Sequence, residues 1–178
     1  MSVSRNSILI ASCSCGSVEF EAVGHAIMSV ACYCDDCQEA ARRIEALAGA
    51  PSMLDPDGGT AYVLYRKDRV RCSKGAGLLK AIKLRPESAT NRVVAGCCNS
   101  AMLLNFDDGK HWVDVYRGRL RGEVPPLQMR VCTRFRPGRG PLPADVPGHP
   151  SYPPKFIGKL LAARLAMLFR PGWPPRPA

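Results

Sequence analysis

Ala31-Cys32-Tyr33-Cys34-Asp35-Asp36-Cys37-Gln38 places three of the chain's nine cysteines within six residues, separated by one and then two positions. A Cys-x-Cys-x-x-Cys run brings three sulfurs within reach of one Zn²⁺ at about 2.3 Å each, whereas disulfides between such close neighbours require strained geometry. The stretch therefore predicts a metal site around which the fold is organised. Two further groups, Cys13 with Cys15 and Cys97 with Cys98, flank it and supply the rest of the candidate ligands. Cys72 and Cys132 have no partner at metal-ligand spacing and read as buried apolar thiols.

Immediately after the triple, Cys37 to Ala48 has a helical pattern, with Asp35 or Asp36 available as N-cap and Gly49-Ala50-Pro51 as its end. Cys37 then falls in the first turn, where the helix dipole favours a thiolate. Working backward, Ile27 to Val30 reads as a strand leading into the motif. Ser7 to Cys13 and the alternating Ser17 to Val23 read as a hairpin with Cys13-Ser14-Cys15-Gly16 at its tip. Glycine after the second ligand permits a positive φ and turns backbone N–H groups toward the sulfurs.

Downstream, strand-like runs occur at Ala61 to Tyr65, Arg69 to Cys72, Leu78 to Leu84, Asn91 to Ala95, Met102 to Phe106 and Trp112 to Tyr116. Turn residues at Lys74-Gly75-Ala76-Gly77, Arg85-Pro86-Glu87 and Asp107-Asp108-Gly109 separate them, predicting a small antiparallel β domain. Composition shifts toward Pro, Gly and Arg from about Gly118. The expected organisation is a zinc-binding domain over residues 1–133, an extended linker over 134–154, and a C-terminal amphipathic helix with a disordered end over 155–178. Ile157, Leu160, Leu161, Leu165 and Leu168 share one face of that helix. Such a face docks on its own domain, on a second subunit or on a membrane surface.

With 178 residues and 46% apolar content the chain suffices for one domain with a proper core. Its formal charge of +10 raises nucleic acid as a partner. Seven metal-bound thiolates and two divalent ions would lower that charge to about +7, the arginines are dispersed, and no recognition module is present, so nucleic acid is not favoured. Arg5 is followed only by the short apolar run Ile8 to Ala11, too short for a secretory signal, and no run reaches membrane-spanning length. An odd number of clustered cysteines fits a reducing cytoplasm.

Taken together, Cys13-Ser14-Cys15-Gly16, Cys32-Tyr33-Cys34-Asp35-Asp36-Cys37-Gln38 and Cys97-Cys98-Asn99-Ser100 resemble the glutathione-dependent formaldehyde-activating enzyme and centromere protein V superfamily. The resemblance covers about residues 8 to 117 and is nearest to an uncharacterised bacterial branch. It implies a β-tent, small antiparallel sheets around zinc. It also implies a structural ion held by Cys13, Cys15 and the late pair, and a catalytic ion held by Cys32, Cys34 and Cys37. The late pair departs from the superfamily pattern, because Ala95 stands where its first cysteine belongs and Cys97 directly precedes Cys98. Asn99 replaces a glycine but visits the left-handed region readily. Either both cysteines complete a four-sulfur site with Cys13 and Cys15, or only Cys98 does and the sites are rearranged or reduced to one.

Zinc with three protein thiolates and an open fourth position can take up a substrate thiol as thiolate. The implied activity is that of a carbon–sulfur lyase acting on a glutathione-like adduct of a small aldehyde. Arg42 and Arg43 are candidate partners for its carboxylates, although a solvated helix face also accounts for them. Asp35 and Asp36 are candidate proton carriers, and His25 and His111 read as having structural or surface roles rather than catalytic ones. The other class of function is a non-catalytic zinc-stabilised binding or assembly module.

Overall fold

Near-continuous burial along the central strands decides the architecture, because the large sheet has to bury both of its faces. In a computed structural model, residues 7–138 and 140–169 are described. The expected disordered end, Pro171 to Ala178, lies outside them. The strands are β1 (Ile8–Ser12), β2 (Glu19–Val23), β3 (Met28–Cys32), β4 (Thr60–Arg66), β5 (Val70–Lys74), β6 (Leu79–Ile82), β7 (Thr90–Ala95), β8 (Ser100–Phe106), β9 (Trp112–Tyr116), β10 (Leu120–Arg121) and β11 (Met129–Val131). Two helices accompany them, α1 (Asp35–Glu45) and α2 (Pro154–Phe169).

A seven-stranded sheet runs β11-β3-β4-β9-β8-β7-β6, and a four-stranded sheet runs β10-β1-β2-β5. Successive side chains of a strand point to opposite faces. One face of the large sheet contributes Val63, Tyr65, Val93, Leu103, Val113 and Val115 to a core shared with Ala11, Phe20 and Ala22 of the small sheet. The opposite face contributes Val30, Cys32, Tyr62, Leu64, Val94 and Leu104 to a second core, closed by Ala40, Ala41 and Ile44 of α1 and by Phe156 and Leu160 of α2. The molecule is thus mainly β, two sheets with helices on the far face of the larger one.

All pairings within these sheets are antiparallel except one: β11 lies parallel to β3, with Val131 opposite Cys32. Neither β10 nor β11 is foreshadowed by the sequence, since each is short and set among Pro, Gly and Arg. The chain after β11 folds back on it. Arg130 N donates to Pro147 O at 2.8 Å, and His149 N donates to Arg130 O at 2.8 Å.

The structure corrects three local expectations. Helix α1 is capped by Cys34, with no side-chain cap bond, and Asp35 and Asp36 lie inside the first turn where they complement the dipole. The helix ends at Glu45 rather than Ala48, in a turn in which Gly49 adopts φ 71°. Helix α2 buries Phe156, Leu160 and Ala163, while Ile157, Leu161, Leu165 and Leu168 are exposed. The leucine count pointed to the solvent side of this helix, because a bulky aromatic and a close-packed alanine outweigh it in contact with the sheet. Among the described residues, no helix is long and apolar enough to cross a membrane.

Candidate metal centres

At the tip of the β1–β2 hairpin, the knuckle folds as its glycine requires, with Gly16 at φ 73°. The β7–β8 hairpin meets it. There Gly96 packs so closely that a Cβ would lie 2.8 Å from the Lys80 Cε, and Asn99 adopts φ 52°. These two turns bring Cys13, Cys15, Cys97 and Cys98 within 4.8 Å of one another. The Sγ separations are 3.6 Å for Cys13–Cys15, 3.9 Å for Cys13–Cys97, 3.3 Å for Cys15–Cys97 and 3.9 Å for Cys97–Cys98. Sulfurs at about 2.3 Å from a tetrahedral zinc stand about 3.8 Å apart, so this donor set matches the ion's requirement.

Val18 N donates to the Cys13 Sγ at 3.2 Å, the backbone contact expected of a thiolate knuckle. Burial works against the Cys98 thiolate, but hydrogen bonds from Ser100, Ser14 and nearby amides outweigh it and lower the thiol to about 5.

The second group lies on the helical face of the large sheet. Strand β3 delivers Cys32, and the first turn of α1 supplies Cys37 after Cys34, whose carbonyl accepts from Cys37 N at 2.9 Å. Cys32, Cys34 and Cys37 lie within 4.8 Å of one another, with Cys32 and Cys37 buried and Cys34 half-buried. Hydrogen bonds from Cys32 and Cys37 hold the Cys34 thiol far below its usual range, so the cluster's negative charge concentrates there. Cys132 is also here: its thiol interacts with that of Cys32, pushing Cys32 up and lowering itself to about 7. No disulfide links any of the nine cysteines.

This triple forms part of the wall of a pocket of about 360 Å³ between the sheet and α2. Register builds the rest. Arg92, Leu104, Asp114 and Leu64 are successive partners across β7, β8, β9 and β4, and all four line the pocket. Arg92 is only 2% exposed. Its Nη2 donates to the Asp36 carbonyl at 3.1 Å, while Nε and Nη1 have no hydrogen-bond partner among the described residues. Asp114 touches the pocket, but its Oδ1 is enclosed and also lacks a partner. Burial pushes its carboxyl up to about 7, against the opposing pull of Lys110 and a hydrogen bond from Trp112.

A family of unknown function, DUF6151, matches residues 4–115. The chain belongs to the DUF6151 family. The DUF6151 match spans both cysteine groups and the pocket strands β4, β7 and β8, and it stops short of Cys132 and α2. No curated protein matches the chain. Among solved structures, a Rhodobacter sphaeroides protein is similar at 17% identity, with 78% of this chain and 98% of the other covered and a TM-score of 0.47.

The seven cysteines singled out in this DUF6151 sequence thus fall into two groups, and Cys97 and Cys98 both join the first. Arg42 and Arg43 do not line the pocket. They pair with Glu39 on the outer side of α1, and the guanidinium beside the triple belongs to Arg92. His111 is structural as expected, its Nε2 lying 2.8 Å from the Leu160 carbonyl and tying α2 to the sheet. Arg92 and Asp114 escaped sequence reading. Their signal was a charge at a position sharing strand parity with apolar residues, Val94 in one case and Trp112 and Tyr116 in the other.

Proposed function

We propose that the chain is a zinc-thiolate protein acting on a thiol adduct of a small aldehyde. Cys13, Cys15, Cys97 and Cys98 hold a structural ion, and Cys32, Cys34 and Cys37 hold an ion at the pocket. Thiolate-only donor sets suit zinc. The observation carrying the reading is the buried Arg92 beside the triple, with two guanidinium nitrogens unpartnered. Buried guanidinium nitrogens without hydrogen-bond partners are expensive, and an anionic ligand relieves that cost. Likeness of the central motif to the glutathione-dependent formaldehyde-activating superfamily supports the same substrate class.

A zinc ion bound at the pocket supplies Lewis acidity that keeps a substrate sulfur deprotonated near neutral pH. The chain's own residues do the rest. Arg92 pairs with a substrate carboxylate and so orients the adduct. Asp114, with its carboxyl raised to about 7, can take the hydroxyl proton of the adduct as the carbon–sulfur bond breaks and the aldehyde leaves as a carbonyl, and can return it to the aldehyde oxygen when a thiolate adds. Trp112, Tyr152 and Phe156 wall the pocket and keep water from the sulfur.

Calorimetry of the zinc-loaded protein with glutathione tests this directly. Saturable binding is expected, weakened about 10- to 100-fold in Arg92→Leu, as expected for a lost charged hydrogen bond. Absence of any thiol binding overturns the enzymatic reading. The exposed side chains of Ile157, Leu161, Leu165 and Leu168 favour the second reading, a zinc-stabilised assembly module. In that case sedimentation would show self-association that Leu161→Glu abolishes.

A further inference from the structure

The pocket-side site has three cysteines by motif, and the fold sets a fourth beside them. We propose that Cys132 is the fourth protein ligand of the Cys32, Cys34 and Cys37 site, a role that rests on the zinc reading above. Three independent features support it. The first is register: β11 runs parallel to β3 with Val131 opposite Cys32, and Tyr33 N donates to Val131 O at 3.1 Å. Paired strands lie about 4.8 Å apart, so the residue after Val131 leaves the sheet next to Cys32.

The second is environment. Cys132 is only 4% exposed and packs in the same core as Cys32 and Cys37. Its thiol interacts with both Cys32 and the Tyr152 side chain, which lines the pocket. The third is backbone conformation. Cys132 has φ 59° and ψ 32°, and Asn99, in the other cysteine cluster, is the only other described non-glycine residue with positive φ. That region is strained for any residue with a Cβ, whereas glycine adopts it freely. It also turns the Cys132 side chain out of the alternation of β11, back toward β3.

Cys132 stands outside the set of three whose sulfurs lie within 4.8 Å of one another, so ligation requires a side-chain rotation toward them. The consequence for function is that the resting site is closed by four sulfurs. With an ion held there, a substrate thiol would enter by exchange, its proton passing to the released Cys132 sulfur with no net oxidation or reduction. The ligand that controls access comes from residues beyond the DUF6151 match, in the segment that also carries Tyr152 and α2.

Cadmium NMR of the cadmium-loaded full chain reads each site separately by its number of thiolates. Two resonances in the four-thiolate range are expected. Cys132→Ser should shift one of them, the same one that Cys34→Ser shifts, while Cys72→Ser shifts neither. Cys132→Gly relieves the backbone strain and should shift that resonance equally, which separates loss of the ligand from misfolding of the turn. Sulfur coordination of wild-type zinc protein by X-ray absorption needs no variant: about 4 per ion is expected, against about 3.5 if seven sulfurs serve two ions. Unchanged resonances in both Cys132 variants, with Cys34→Ser still shifting one, overturn the proposal and leave the zinc reading standing. A Cys34→Ser variant with both resonances unchanged removes the zinc reading itself.

Discussion

Asp114 shows how one residue's surroundings become a property of the whole protein. Burial, the largest cause, pushes its carboxyl up to about 7 from an ordinary value of 3.8. Lys110 and a hydrogen bond from Trp112 pull the other way, and Tyr116 on β9 also interacts with it. A raised acid pKa means the folded state binds the proton more tightly than the unfolded one. The associated stability is full below about pH 4 and declines as pH rises to about 7. Asp114→Asn should remove that decline and raise stability at neutral pH, by on the order of 1–4 kcal/mol. Urea denaturation between pH 4 and 8 checks it, and parallel pH profiles for the two proteins would refute the assignment. Arg92 illustrates the same point for recognition. Arg42 and Arg43 were conspicuous because they follow the motif in sequence, yet an α-helix carries them to its outer side. Arg92, far along the chain, arrives beside the triple through strand register.

Among the elements, α2 separates packing from mere apolar content. Phe156 and Leu160 enter the core beside Cys32 and Tyr62, and His111 and Arg66 reach the helix carbonyls of Leu160 and Ala166 at 2.8 and 3.4 Å. Phe156→Ala should destabilise the protein by about 3 kcal/mol, since it removes an aromatic from a formed core. Leu161→Ala, at 60% exposure, should change stability by less than about 0.5 kcal/mol. Equilibrium denaturation of the two variants side by side tests which face is docked. The strands behaved differently from this helix. Their strand-like runs and the turn residues between them were legible in the sequence, and Trp112 to Tyr116 forms β9 as expected, because strand character and turn chemistry are local properties that survive any tertiary arrangement. Helical faces depend on which neighbour offers the better fit, and that neighbour is not written nearby.

At the scale of the molecule, the first cysteine group clips the two sheets together. Cys13 and Cys15 belong to the hairpin of the small sheet, and Cys97 and Cys98 to a hairpin of the large one. A metal ion held there would add stability that the unfolded chain cannot match. Cys15 is exposed, so Cys15→Ser sacrifices little packing. Calorimetry should show it lowering Tm by about 10 °C or more in zinc-loaded protein. In excess chelator the wild-type and variant melting points should coincide. A persistent gap without metal would mean that the loss came from packing instead.

Local chemistry in the sequence was enough to determine the mainly β class, the special turns and the cysteine groups that could hold a metal. Cysteine spacing, residue alternation, Gly16 and the left-handed Asn99 all act within a few residues of themselves. Tertiary structure alone decided that Cys97 and Cys98 share one cluster, that Arg92 and Asp114 face the pocket, and that Cys132 stands beside Cys32. Each of these depends on pairing strands far apart in the chain, whose register is set by the burial of both sheet faces at once. The triple at Cys32, Cys34 and Cys37 was visible from its spacing, whereas Cys132, the fourth sulfur beside it, became visible only once β11 had been laid parallel to β3.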